Sequence, residues 1–346
     1  MVPMCSEPDS ATIEHMSPRL VGRRPELEAL RSAVTRAAAQ LGSVVLIGGD
    51  AGIGKSRLVS KVTAEARADG AAVLVGECLK LGQGELPYAP IVGALRSIVR
   101  ERGIDELVAL AGAGLEELEP LLPELRALEL GEPARDGSQA RLYAQLLTVF
   151  TSLARSSSLV LVIEDLHWAD SATRDFLFFL VRAIRDEPIA LVLTYRTDDV
   201  ARAHATAVLV HELERDERAV RLPLKPLSRE EVREQVAAIR GEDPAPGLVD
   251  RLLARAEGNP FFTEELLAVA DAGDSVLPQS LQQALLLRQA ECPPDVAAVI
   301  RMVTVAGREL EHELLKVVVA LPDDRLRAAS WRRKSILLRS GPWGDR

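Results

Sequence analysis

The sequence predicts an α/β fold: a parallel sheet of about five strands between two layers of helices, followed by helices alone. Three observations predict it. Residues 43–56 read as a strand, a glycine-rich turn and the start of a helix. Short apolar runs recur at 44–47, 71–75, 158–163, 189–195 and 219–222, with helical patterning between them. Beyond 223 the pattern is helical only. Strands alternating with helices, each strand apolar throughout, mark a parallel sheet covered on both faces.

The first strand carries the most specific signal. Val44 to Ile47 is short, apolar and ends in glycine, as a buried strand does. From Gly49 the spacing is G-x-x-x-x-G-K-S: Gly49, Asp50, Ala51, Gly52, Ile53, Gly54, Lys55, Ser56. Arg57 to Ala68 then has helical spacing. Strand, loop and helix together make this a phosphate-binding loop, so the expected class is a P-loop nucleoside triphosphatase with three α/β/α layers. Glycines let backbone N–H groups close on phosphate oxygens. The helix start adds its positive dipole end. Lys55 is expected to reach the β and γ phosphates, and Ser56 to give one oxygen to Mg²⁺.

The remaining elements follow in order. Residues 1–19 mix Pro, Ser and acids without periodicity, and read as a disordered lead. Leu20 to Leu27 enters a helix whose first turn suits Pro25, with Leu27, Leu30, Val34 and Ala38 as its apolar stripe. From Ile91 to about Ser156 the patterns are helical, broken at glycines and prolines, and the leucine-rich stretch 115–130 is expected to be a packed helical insert. The strand at 158–163 ends in Glu164 and Asp165. An acid pair at that end of an apolar strand is where such enzymes hold their metal. Glu164 is expected to orient Mg²⁺ through waters, and Asp165 to polarise the attacking water. His167 has no ligand partner nearby in sequence, Trp168 reads as a packing residue, and Asp170 or Ser171 caps the next helix. The strand at 189–195 ends in Arg196, whose fork suits phosphate oxygens. Ser228 with Glu231 fits a capping box, and helices are expected at about 229–240, 247–256 and 261–270. Right-handed crossovers bring the strand ends to one edge, where Lys55, Glu164, Asp165 and Arg196 can converge on one nucleotide.

Composition narrows the partners. A chain of 346 residues fits about two domains. Its net charge of −9 argues against a dominant nucleic-acid footprint. The three cysteines, Cys5, Cys78 and Cys292, are far apart, which supports neither a disulfide framework nor a zinc site. No basic-then-apolar leader and no spanning apolar run is present, so no membrane association and a cytoplasmic address are expected.

Taken together, Val21-Gly22-Arg23, the loop at 48–56, EDLHWAD at 164–170, TYR at 194–196, LKPLS at 224–228 and EGNPFFTEEL at 257–266 resemble the ATPase module of large LuxR-type transcriptional regulators. These belong to the signal-transduction ATPases related to AAA+ proteins. The resemblance covers roughly residues 20–328. It implies ATP as the nucleotide with Mg²⁺, bound along Gly49 to Arg57, with Val21, Gly22, Arg23 and Pro260 near the adenine and Arg196 as γ-phosphate sensor. It implies a lead at 1–19, an ATPase core at 20–223, a helical lid at 224–275 and part of a winged-helix-like domain at 276–328. The stretch 329–346 is off the family pattern, so a shortened chain carrying the switch module alone is expected. The implied activity is slow ATP hydrolysis, with ATP and either further copies or partner regulators as the molecules bound. A non-hydrolysing ATP scaffold and a regulator that contacts DNA directly are the alternatives.

Overall fold

The five apolar runs form five strands: β1 (Ser43–Gly48), β2 (Ala72–Glu77), β3 (Leu159–Glu164), β4 (Ile189–Tyr195) and β5 (Ala219–Pro223). They make one sheet in the order β2-β3-β4-β1-β5, with every neighbouring pair parallel. This computed structural model describes residue 17, residues 19–79, 86–128, 139–197 and 204–272, and the isolated positions 295, 298, 299 and 322. The contacts divide the chain into two units, Arg23–Lys225 and Met1–Gly22 with Pro226–Arg346. The sheet belongs to the first.

The burial of each strand follows its place in the sheet. β1 and β4 are buried along their whole length, and β3 up to its last residue. That is why their sequences are unbroken apolar runs. The edge strands β2 and β5 each expose residues, Val75 and Val220 among them. Several strands also run past their apolar stretch, to Gly48, Glu77 and Glu164, because ladder hydrogen bonds use the backbone whatever the side chain. Glu164 is thus the last residue of β3, opposite Glu77 of β2.

Helices cover the sheet: α1 (Arg24–Ala38), α2 (Lys55–Ala68), α3 (Ala89–Arg102), α4 (Ile104–Ala111), α5 (Gln139–Ser156), α6 (Ser171–Ala183) and α7 (His204–Glu214). One expectation needs correction. The buried face of α1 is Leu30, Ala33 and Ala37, whereas Leu27 and Val34 are half-buried and Ala38 is exposed. α1 lies on β1 and β4, and the small alanines let its backbone come close enough for the Ala33 carbonyl to accept from Ser43 Oγ at 2.9 Å. The leucine-rich insert does pack, with Leu115, Leu118, Leu122 and Leu125 buried. In its described part it forms two 3₁₀ segments, Gly112–Leu118 and Pro123–Leu128, in place of an α-helix. Pro120 and Pro123 remove donors and block a longer helix. The few aromatics gather between α5 and α6, where Tyr143 meets Phe176 edge-on at 5.2 Å and Phe150 lies 6.4 Å from Phe176.

In the second unit α8 (Arg229–Arg240), α9 (Leu248–Ala256) and α10 (Pro260–Ala272) share a core that includes Val232, Val236, Leu252, Phe262 and Leu266. Ser228 and Glu231 form the expected capping box. Asn259 Oδ1 accepts from the Phe261 backbone N–H at 3.1 Å and opens α10. Ser17, inside the stretch read as a lead, is buried, and its N–H donates to Glu264 Oε1 at 3.0 Å. The winged-helix-like part expected at 276–328, the tail from 329, and Cys5 and Cys292 lie outside the described residues, apart from the isolated positions. Among the described residues no helix is long and apolar enough to cross a membrane.

Phe150 is fully buried. Phe150→Ala is expected to cost about 3–5 kcal/mol through lost burial and a residual cavity. Urea unfolding should show this as a lower midpoint at an unchanged slope. A loss under about 1 kcal/mol would contradict the packing described.

Candidate nucleotide site

The site is built at the carboxyl edge of the sheet. The loop leaves β1 at Gly49 and turns through Gly52 (φ 78°) and Gly54 (φ 100°), left-handed angles that a side chain resists. Gly54 caps α2, and no side chain closes that cap. The first-turn N–H groups of α2 therefore face the mouth of the loop as an anion-binding end. Ile53 is buried beneath, which anchors the loop.

Lys55 is the first residue of α2 and is only 8% exposed. Its ammonium folds back on the loop, donating to the Gly49 and Asp50 carbonyls at 2.9 Å each. Burial lowers its pKa to about 8; Asp165 opposes that shift, Arg196 adds to it, and Asp50 and Glu164 also oppose it. These charges therefore all act on one ammonium. Ser56, the next residue, donates from Oγ to Glu164 Oε2 at 2.6 Å. Burial raises the Glu164 pKa, the Ser56 hydroxyl opposes this, and Asp165 and Glu77 add repulsion.

Beyond Glu164 the chain turns sharply. Asp165 adopts φ 56°, a left-handed angle that Asp tolerates better than most residues, and leads into the 3₁₀ turn Leu166–Trp168. Its N–H donates to Thr194 Oγ1 on β4 at 3.0 Å, and its Oδ1 lies 3.8 Å from His167 Nδ1. His167 Nδ1 accepts from the Arg196 N–H at 3.3 Å. The Arg196 guanidinium lies 5.2 Å from the centre of the Trp168 ring, within cation–π range. Thr197 Oγ1 donates to Asp50 Oδ1 at 3.2 Å, tying the exit of β4 to the loop. Asp170 caps α6 by accepting from the Thr173 N–H at 2.9 Å.

The structure thus brings together Gly49 to Ser56, Glu164, Asp165 and Arg196, all within the first unit. Arg57 follows in the first turn of α2. Arg23 belongs to the same unit, but its guanidinium is engaged within the protein. It is buried and donates to the Ile53 carbonyl at 3.2 Å and the Lys225 carbonyl at 2.7 Å. Val21, Gly22 and Pro260 lie in the second unit. Sequence reasoning missed Thr194, Thr197 and the part His167 plays. A hydroxyl at the end of an otherwise apolar strand was the available signal for Thr194.

Among the described residues no group of three or more His, Cys, Asp or Glu could hold a metal ion by itself. The donor set that is present, one hydroxyl against one carboxylate beside a phosphate loop, suits a hard cation that keeps waters and shares phosphate oxygens, as Mg²⁺ does.

Parallel strands in this order, with a phosphate-binding loop and an acid pair at one edge, define a P-loop ATPase fold. Residues 19–193 match the AAA ATPase domain model, and the chain belongs to that family. An uncharacterized protein of Rhizobium meliloti (strain 1021) is 27% identical over 342 residues; the match covers 88% of this chain and 31% of that protein's length. Among solved structures, AMPPCP-bound DnaA from Aquifex aeolicus is 12% identical with a TM-score of 0.48, covering 94% of this chain and 93% of that one. The Aeropyrum pernix ORC1 protein in complex with DNA is 16% identical with a TM-score of 0.45, covering 94% and 87%.

Lys55 titrates at about 8 when folded, below its ordinary 10.5. Below about pH 8 it is charged in both folded and unfolded chains, and its burial costs stability in full. As the pH rises through that window the folded chain sheds the proton first, so the cost is relieved. The stability of the native chain relative to Lys55→Met is expected to rise by up to about 3 kcal/mol across it. Denaturant unfolding of both proteins at about pH 7 and about pH 10 measures this. A flat difference would refute it.

Proposed function

We propose that this chain binds ATP with Mg²⁺ at the loop and hydrolyses it slowly, as the nucleotide-reading switch of a LuxR-type regulator. The observation that carries the reading is the contact between Ser56 and Glu164. These residues stand 108 positions apart, yet hydroxyl and carboxylate meet at 2.6 Å beside the phosphate loop.

Each residue then has a task. Lys55 exchanges two neutral carbonyl acceptors for anionic phosphate oxygens, a stronger charge-assisted contact. Backbone N–H groups from Gly49 to Arg57 hold the phosphates. Ser56 would ligate the magnesium ion directly and Glu164 through its waters. When bound, magnesium would neutralise charge on the β and γ oxygens. Asp165 orients a water for in-line attack on the γ phosphorus and takes its proton as the bond to the bridging oxygen breaks and ADP departs. Arg196 contacts the γ oxygens.

The domain scheme belongs to the same proposal: core at 20–223, lid at 224–275, and part of a winged-helix-like domain at 276–328. Nucleotide state would select between two arrangements of the lid. Further copies of the chain or partner regulators would read that state. The net charge of −9 supports a switch without direct DNA contact in these residues.

Lys55→Ala is expected to weaken ATP binding by about 10- to 100-fold, the worth of a charged hydrogen bond. Titration calorimetry measures it, and unchanged affinity would refute the site. Asp165→Asn should bind ATP within a few-fold of the native chain and release phosphate about 10²–10⁴-fold more slowly. If neither protein releases phosphate, the chain is an ATP-holding scaffold.

A further inference from the structure

The acid pair and Arg196 leave neighbouring strands, and one short turn joins them. Two contacts run from consecutive residues of that turn to the same arginine. His167 has a fully buried side chain, and its Nδ1 accepts the Arg196 backbone N–H at 3.3 Å. An accepting Nδ1 carries no proton, so this contact puts the ring proton on Nε2. Trp168 is half-buried, and its indole lies under the Arg196 guanidinium at 5.2 Å. The rings of His167 and Trp168 pack against each other, with centroids 4.8 Å apart. The start of the turn is also tied to β4, because the Asp165 N–H donates to Thr194 Oγ1.

We infer that the Leu166–Trp168 turn is a positioning element for Arg196: the His167 ring holds the backbone from which the arginine springs, and the Trp168 ring holds its guanidinium aside until a triphosphate draws it away. The inference rests on the nucleotide site proposed above and adds how that site tells a triphosphate from a diphosphate. A cation over an indole is a modest attraction in a partly solvated place. A forked contact to phosphate oxygens is stronger and directional. The arginine therefore has two positions, a weakly held one on the indole and a stronger one that exists only when a γ-phosphate is present. A ligand shifts such an equilibrium by its differential affinity for the two states, so a diphosphate, which offers nothing to the arginine, leaves it on the indole. Because the same turn begins at Asp165, departure of Arg196 is felt at the residue assigned to the attacking water. His167 and Trp168 are positioning residues in this scheme and touch no substrate.

Trp168 also reports on itself. Trp331 and Trp343 are the two other tryptophans of the chain, so Trp331→Phe with Trp343→Phe leaves Trp168 as the sole indole. The full chain carrying both changes is titrated with a non-hydrolysable ATP analogue and Mg²⁺, and separately with ADP and Mg²⁺. Calorimetry records binding in parallel. Both nucleotides are expected to bind, with the triphosphate alone changing Trp168 emission. In Arg196→Ala the diphosphate should bind as before and the triphosphate more weakly, and at saturating triphosphate the emission change should vanish. His167→Ala is expected to lose about fivefold or more of the preference for triphosphate over diphosphate. His167→Asn, whose amide oxygen stands where Nδ1 stood, should recover most of it.

Identical emission with both nucleotides bound would overturn the inference, as would a response that survives Arg196→Ala. So would His167→Asn proving as damaging as His167→Ala. If His167→Ala fails to fold, the Arg196→Ala comparison alone decides. If calorimetry detects no binding of either nucleotide, the site assignment itself fails and this inference falls with it; binding without the indole response refutes the inference alone.

Discussion

Strand β4 pairs in parallel with β1 on one side and with β3 on the other, and all seven of its residues are buried. That double pairing places three strand ends side by side, about 4.8 Å apart at each step. The phosphate loop leaves β1, Arg196 leaves β4, and the acid pair leaves β3. A one-residue slip of β4 would turn Thr194 to the opposite face. Asp165 would then lose its hydroxyl partner, and Arg196 would no longer meet the His167–Trp168 turn. The alignment of these groups is a consequence of register, and register is held by an apolar strand that cannot expose either face.

Electrostatics act on that frame in a consistent direction. The edge gathers Lys55 and Arg196 with Asp50, Glu164 and Asp165, partly out of water. Burial lowers the Lys55 pKa and raises that of Glu164, so each group is pushed toward its neutral form. In the structure each is satisfied internally, Lys55 by loop carbonyls and Glu164 by the Ser56 hydroxyl. A polyanion and a divalent cation arriving together would supply the opposite charge each lacks. Under the proposed function, phosphate and magnesium would take the place of the hydrogen bonds that close the site.

Much of this was legible before any coordinates. Gly49 to Ser56 declared a loop because strand, glycines and helix follow within fourteen residues. The strand ending in Glu164 declared itself by its apolar run and terminal acids. The buried face of α1 was not legible, because helical spacing allows neighbouring stripes and only the sheet beneath selects Ala33 and Ala37 over Val34 and Ala38. Nor was the anchoring of Arg23. Its guanidinium donates to the Ile53 carbonyl and to a carbonyl 202 positions away. His167 read as a histidine without ligand partners, and its acceptor contact with Arg196 joins two separate strand ends.

The sequence by itself determined the class of fold, the phosphate-binding loop and which residues could carry phosphate chemistry. Those properties are written in local periodicity and in residue types that have few other uses at such spacing. Tertiary structure alone decided the order of the strands, and with it which of those residues stand together and what holds each in place. Partners such as Ser56 with Glu164, Thr194 with Asp165, and His167 with Arg196 come from different elements of the chain. Such pairings arise only when distant strands close into one sheet, and no local pattern encodes the register in which they do so.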